Sequence, residues 1–177
     1  MFLAFLVTRH PAHFLLMISE GLVVALLLIR RPSQEIAKTP FAWMVAGIGT
    51  FGPLLVTPTD VSLLPWSIMI WLNLMGTLTV IAAKGSLGRS FGIVAANRGI
   101  KVGGLYQLVR HPMYAGYFLT HVGYLLSSFS VNNLVLYSVI WCAMLYRIRE
   151  EEVILSKDPE YEYYAHNTRY RLIPGFY

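Results

Sequence analysis

The sequence predicts an all-α integral membrane protein with about five transmembrane helices. Hydrophobic residues make up 56% of the 177 residues, charged residues only 13%, and the mean hydropathy is +0.56. Soluble domains carry about 25% charged residues, so this chain is too apolar for a water-exposed surface. Because a membrane-spanning helix needs ~20 apolar residues, the chain length allows about five of them in a single integral domain, residues 1–177.

Apolar segments place the five helices in order. The segments are 14–29, 41–57, 61–83, 114–129 and 131–146, with Arg, Lys, Pro, Asn or Gly at the breaks. The very short breaks near residues 58–60 and 130 predict two tight helical hairpins.

The two ends of the chain are predicted to lie outside the membrane-spanning helices. The apolar start, residues 1–7, precedes Arg9-His10-Pro11 without a small-residue cleavage site, so an interfacial lead-in is favoured over a signal peptide. After a turn at residues 157–159, residues 160–170 predict a short amphipathic helix that caps the candidate site described below.

The basic residues predict the orientation. Thirteen of the fourteen Lys and Arg residues follow segments one, three and five, and only Arg9 lies on the other side. The positive-inside rule therefore predicts a multi-pass protein with its N-terminus outside and its C-terminus cytoplasmic. Because these charges are spread over juxtamembrane loops, attraction to anionic membrane lipid explains the net charge of +5, and nucleic acid is not an expected partner.

Cysteine and histidine patterns exclude two other kinds of site. Cys142 is the single cysteine, so no intrachain disulfide or cysteine-rich metal site is possible. The histidines have no partners at metal-ligand spacing, and no His-Glu-x-x-His element occurs. No metal site is predicted.

Two polar clusters mark the candidate site. Residues 110–116, Arg-His-Pro-Met-Tyr-Ala-Gly, open the fourth helix, where Pro112 suits the first turn because its missing N–H costs nothing there. Residues 147–152 close the fifth segment, so both clusters should lie on the same membrane side. Between residues 84 and 110 a loop with six glycines would let backbone approach a ligand closely, although its spacing is not a dinucleotide fingerprint.

Several short motifs occur together in residues 84–177. They are Leu87-Gly88-Arg89-Ser90-Phe91, Gly104-Leu105-Tyr106, residues 110–116, Arg147 with Glu151-Glu152, and Tyr161 with Tyr164. In this combination the chain resembles the isoprenylcysteine carboxyl methyltransferase family and its phospholipid methyltransferase relatives. The first three helices contribute only topology to the resemblance.

The resemblance implies an enzyme that binds S-adenosylmethionine on the cytoplasmic side and methylates a lipophilic acceptor entering from the bilayer. Arg147 matches the residue that orients the acceptor, Glu151 matches a cofactor-contacting carboxylate, and these two are the expected catalytic residues. Residues 91–97 depart from the eukaryotic prenylcysteine enzymes in length and sequence. The cofactor-binding positions implied by the resemblance are Arg98, Gly99, Ile100, Lys101, Tyr106, His111, Pro112, Met113, Tyr114 and Glu151.

The residue types suit this chemistry. A sulfonium is an activated methyl donor, so the enzyme's main task is to align acceptor, methyl and sulfur while excluding water. Arg147 and Glu151 lie four residues apart on one helical face, where an ion pair can hold both side chains. A guanidinium offers a bidentate dock to a carboxylate acceptor. An amine acceptor instead needs a general base.

Several alternatives stay open at the sequence level. The acceptor is a prenylated protein C-terminus, a phospholipid headgroup amine, or a small hydrophobic thiol or acid, so O-, N- and S-methylation are all compatible, as is any oligomeric state. A membrane reductase using a nicotinamide cofactor is a second class. A non-enzymatic membrane module, such as a transporter subunit or scaffold, is a third class. The sequence argues against it, because Asn73 and His121 are the only strongly polar mid-span residues and two are too few for a transport path.

Overall fold

The protein is described by a computed structural model that covers residues 11–33 and 35–176, with side chains from Ile18 onward. Within these residues the chain is helical apart from loops and one isolated β-bridge, which confirms the all-α class. The interfacial lead-in predicted for residues 1–7 lies outside the described residues. The helices are α1 (Pro11–Ile29), α2 (Pro40–Phe51), α3 (Trp66–Leu87), α4 (Pro112–Ser127), α5 (Val131–Leu155) and α6 (Pro159–Asn167).

Two of the described helical segments are long and apolar enough to cross a bilayer. They are Trp66–Ser90, which is α3 with its following 3-10 turn, and Val131–Leu155. Two further apolar stretches are shorter: Pro40–Leu55, and Ile18–Ile29, which is the part of the 19-residue α1 whose side chains the structure describes. The structure thus has a helix at each of the five predicted apolar segments. A count of five spans stays a prediction.

Helix ends differ from the predicted ones where proline or a good helix former intervenes. The helix α3 begins only at Trp66, because Pro65 precedes it and takes the N-cap position, so the first hairpin connection is longer than predicted. The helix α5 runs nine residues past its apolar segment to Leu155, since Arg and Glu continue a helix readily. The tail helix α6 ends at Asn167, three residues earlier than predicted.

Helices α3 and α4 cross at glycines. A Cβ atom added to Gly76 would lie 2.8 Å from the carbonyl oxygen of Gly116, and one added to Gly116 would lie 2.8 Å from that of Gly76. Small residues at such a crossing let two helix backbones approach closely, which is how helices associate in lipid. Gly123, seven residues further along α4, lies in the same way against Leu72 and Asn73 of α3.

Helix α2 packs on α5 through side chains of α5 that lie against glycines: Ile140 lies against Gly52, which follows α2, and Arg147 lies against Gly49. At one end of the bundle Asn133 joins the two hairpin connections, because its amide donates to the carbonyls of Thr57 and Ser128, at 2.8 Å each. We call this the turn end.

The opposite end of the bundle, which we call the site end, holds the long loop between α3 and α4. The linker between α1 and α2 pairs with this loop: Ala37 N donates to Ala95 O at 3.0 Å, and Asn97 N donates to Glu35 O at 3.0 Å. The bridge between Ile36 and Ala96 lies between these two bonds. The N-terminal helices therefore help to hold the loop that carries the candidate site.

Lys84 corrects one expectation from the sequence. It was expected at the start of a basic surface loop, but it lies in the last turn of α3 with no exposed surface. Its Nζ donates to the carbonyl and hydroxyl oxygens of Ser19, at 3.1 and 2.9 Å, and lies 5.6 Å from the centre of the Tyr117 ring. Hydrogen bonds to α1 thus replace solvent around this cation, so it tethers α1 to α3.

Candidate functional site

A pocket at the site end is bounded by the α3–α4 loop, the start of α4, the end of α5, and α6. Nine of the ten implied cofactor-binding residues line it, and the tenth, Pro112, is buried beneath the lining. The structure thus brings together residues 98–101, 106–114 and 151, which are far apart in the sequence. The complete lining is Leu87, Ser90, Gly92, Val94, Ala95, Ala96, Arg98, Gly99, Ile100, Lys101, Tyr106, Arg110, His111, Met113, Tyr114, Glu151, Leu155, Tyr161 and Tyr164.

The first polar cluster occupies the start of α4. His111 is the N-cap and Pro112 occupies the first turn, as the sequence predicted. The fully buried Tyr114 donates a hydrogen bond from its hydroxyl to Glu151 of α5. His111 lies beside the same carboxylate, with its Nδ1 3.7 Å from Glu151 Oε2. Two side chains from α4 thus position Glu151 at the pocket wall.

Glu152 is the centre of a second set of contacts. Its Oε1 lies 3.0 Å from Arg110 Nη1 and 3.3 Å from His111 Nε2, and it accepts a 3.4 Å hydrogen bond from the Tyr161 hydroxyl. Its Oε2 accepts bonds of 2.7 and 2.6 Å from Nε and Nη2 of Arg171. We call Glu152 and these four partners the Glu152 cluster. Since neighbouring residues on a helix project about 100° apart, Glu151 and Glu152 share only His111 among the described partners, and it faces each carboxylate with a different ring nitrogen.

The loop of residues 91–101 forms another wall. The Arg98 guanidinium packs on Gly92, where an added Cβ would lie 2.7 Å from Arg98 Cζ. Burial lowers the pKa of Arg98, and its Nε is buried without a hydrogen-bond partner among the described residues. Gly99 has a φ of 93°, a conformation that favours glycine. Its N–H donates to Asn97 Oδ1 at 2.9 Å, which fixes the turn.

Tyrosines form the aromatic side of the pocket. Tyr106 comes from the loop, whereas Tyr161 and Tyr164 come from α6. The Tyr164 hydroxyl donates to the Tyr106 carbonyl at 2.7 Å, which ties α6 to the loop. Burial raises the pKa of Tyr164 to about 12, so this hydroxyl keeps its donor proton at neutral pH.

Arg147 lies apart from the pocket lining. Its Nη2 donates to the Ile93 carbonyl at 2.7 Å, and its Cζ lies 5.4 Å from the centre of the Tyr114 ring. The sequence suggested an ion pair with Glu151, but the described structure has none, because loop backbone and an aromatic face hold the guanidinium instead. Tyr114 contacts Arg147 through its ring and Glu151 through its hydroxyl, so it links the two predicted catalytic residues.

Sequence reasoning gave no role to several residues that the structure places at the site. Three of them appeared only as parts of the motifs that carry the resemblance: Glu152, Tyr161 and Tyr164. A fourth, Arg171, appeared only as one of the basic residues. Residues 92–96 were set aside because they depart from the prenylcysteine enzymes. The adjacent Glu151-Glu152 pair was the available signal, since two neighbouring carboxylates at the end of an apolar helix need polar partners, and the structure shows both half-buried.

Comparison with known proteins identifies the family. The model of the phospholipid methyltransferase family matches residues 61–158, more than half of the chain and a range that contains both polar clusters. A comparison with curated proteins found no significant match. The family match supports a membrane-associated methyltransferase and does not extend to the isoprenylcysteine carboxyl methyltransferases. The chain belongs to the phospholipid methyltransferase family.

Proposed function

We propose that this protein is a multi-pass membrane methyltransferase that transfers a methyl group from S-adenosylmethionine to a lipid acceptor, with the site end in the cytoplasm. The observation that supports the proposal best is that nine of the ten cofactor-binding positions implied by the resemblance converge on one pocket. These positions come from the loop, α4 and α5, so a shared membrane-anchoring role would not require them to meet. Family membership adds the methyltransferase class and a lipid acceptor.

The chemistry of the pocket fits this cofactor. Glu151 is the only acidic side chain among the described lining residues, and a carboxylate suits a ribose diol or an amine. The buried, unpartnered Nε of Arg98 is a donor suited to the carboxylate of the methionine moiety. The tyrosines suit the adenine base, and Gly99 lets backbone come close. When bound, S-adenosylmethionine supplies a methyl group activated by its sulfonium.

The residues of the chain then have distinct tasks. Glu151 is held by the Tyr114 hydroxyl and lies beside His111, so the carboxylate has little freedom to turn away from the pocket. Arg147 lies over the ring of Tyr114 and does not line the pocket, and from this position it orients the acceptor. Alignment of acceptor and methyl donor, with water excluded, is the main source of acceleration in such a transfer.

Two acceptor chemistries are distinguished by these residues. A phospholipid headgroup amine agrees with the family match and needs a proton acceptor, for which Glu151 is the available carboxylate. A carboxylate acceptor, such as a prenylated C-terminus, is the second candidate, and the buried Arg147 favours it because a guanidinium docks carboxylates.

Incubation of the purified protein in lipid nanodiscs with methyl-labelled S-adenosylmethionine tests the proposal. Nanodiscs that contain an amine phospholipid are compared with nanodiscs of a lipid without a free amine, supplemented with a prenylated cysteine compound. We expect label in the amine lipid, and in no product of the Glu151→Ala variant. Label in neither acceptor, despite measurable cofactor binding, would refute the lipid acceptor. A wild-type protein that binds no cofactor would refute the proposal as a whole.

A further inference from the structure

The Glu152 cluster fastens the C-terminal segment to the start of α4. Glu152 accepts two hydrogen bonds from Arg171 of this segment, while its other oxygen contacts Arg110 and His111 beside α4. The same two stretches of chain also pair through their backbones, since Arg110 N donates to Tyr170 O at 2.9 Å and His111 N donates to Arg171 O at 2.8 Å. Two kinds of bond therefore join the tail to the pocket.

The fastened groups include walls of the pocket, although Glu152 itself does not line it. Arg110, His111 and Tyr161 contact Glu152 and also line the pocket. The carboxylate of Glu152 is 12% exposed, and burial strengthens its ion pairs with the two arginines relative to a solvated surface pair. Its removal would leave cations half-buried without their counter-charge, which costs more than loss of a surface ion pair.

We propose that Glu152 is a positioning residue that holds the C-terminal segment, residues 168–171, against the pocket walls at Arg110 and His111 and thereby slows the escape of the bound cofactor. This inference rests on the proposed function, because it takes the pocket to be the cofactor site. Glu152 acts through Arg110, His111, Tyr161 and Arg171 and has no role in the transfer itself. The segment that it holds, residues 168–171, lies beyond the range matched by the family model.

The test uses the full chain in lipid nanodiscs and two measurements. Amide hydrogen exchange of residues 168–171, without cofactor, reports whether the segment is fastened. The dissociation rate of S-adenosylhomocysteine from the same protein reports whether fastening limits escape. The variants are Glu152→Gln, which keeps the shape but removes the charge, Arg171→Gln, which removes the other partner, and the double variant. Glu160→Gln, an exposed carboxylate on α6, is the matched control.

We expect both single variants to exchange and to release the ligand about tenfold faster, because charged hydrogen bonds are among the stronger ones. The association rate should change little, and the double variant should be no worse than Glu152→Gln alone, since that variant already removes the charge that Arg171 contacts. The control should behave as wild type. A residue with only a structural role would lower the melting temperature without changing the dissociation rate of the folded fraction.

Unchanged exchange in both single variants would overturn the proposal that Glu152 fastens the segment. Faster exchange with an unchanged dissociation rate would overturn the link between this fastening and the escape of the cofactor. If wild type binds no S-adenosylhomocysteine, the proposed function fails, and with it the cofactor part of this inference. The exchange measurement would still decide whether Glu152 fastens the segment, so the two failures are distinguishable.

Discussion

The Tyr114 hydroxyl donates a hydrogen bond to Glu151, and the centre of the same ring lies 5.4 Å from Cζ of the Arg147 guanidinium. Tyr114 is thus a shared support for a carboxylate that lines the pocket and a cation that does not. Loss of the carboxylate should change the affinity for the cofactor, whereas loss of the cation should change turnover, which gives the first two predictions.

Replacement of His111 or Glu151 by Ala should weaken S-adenosylmethionine binding by roughly 1–3 kcal/mol, since each change removes a polar partner from a partly desolvated site. Tyr114→Phe should weaken binding less than Glu151→Ala does, because it removes one support of the carboxylate and keeps both the carboxylate and the ring. Calorimetry on folded protein measures these changes, with the exposed Glu160→Ala as control. An affinity equal to wild type in both Ala variants would remove them from the cofactor site.

Arg147→Ala should keep cofactor affinity and lose most turnover, because an interaction realised in the aligned transition state is removed. Arg147→Lys should rescue poorly, since a point charge cannot reproduce a planar fork over an aromatic ring. Turnover is measured at saturating cofactor. Arg149→Lys, two residues along α5 and exposed, is the control. If Arg147→Lys is as active as wild type, any cation suffices at this position and the proposed guanidinium dock for the acceptor is wrong.

The predicted topology is open to cysteine labelling. With Cys142 replaced by Ser, a cysteine at Lys101 should react only from the cytoplasmic side, whereas one at the exposed Asp60, at the turn end, should react only from outside. The two positions are each other's control. Labelling of Lys101→Cys from outside would show that the predicted orientation, with the site end in the cytoplasm, is wrong.

Gly76→Ala should destabilise the protein by about 1–3 kcal/mol, because a methyl group would be pressed against the backbone of α4. Gly85→Ala is a matched control in the same helix, since an added Cβ there meets no atom within 4 Å. This control should be neutral or stabilising by up to about 1 kcal/mol, as alanine favours the helix. Thermal or denaturant unfolding in detergent measures both. Equal stability of the two variants would contradict close packing at the crossing.

The helices and the pocket were predictable from the sequence to different degrees. Apolar segments located five helices because hydropathy is a local property, and Pro112 located the start of α4 for the same reason. The motif positions named nearly all of the pocket lining that α4 and α5 supply. For residues 92–96 the glycine content predicted only that the loop would approach a ligand, because a loop without periodicity does not indicate which of its residues face the pocket.

Contacts between distant charged side chains were the least predictable. The i, i+4 spacing of Arg147 and Glu151 suggested an ion pair, yet the loop carbonyl of Ile93 and the Tyr114 ring hold the arginine. Lys84 was expected at a lipid surface and is buried against Ser19. In each case the partner lies more than thirty residues away, beyond the range of any helical spacing rule.

The pairing of residues 35–37 with 95–97 sets a lower limit on the size of a working fragment. The family match begins at residue 61, so this pairing joins a pocket wall to a part of the chain that the family signature omits. A fragment that started there would leave backbone groups of Ala95 and Asn97 unpaired, and Lys84 without Ser19. The smallest unit that holds this pocket together is therefore larger than the segment by which its family is recognised, and shortening the chain to that segment would dismantle the site.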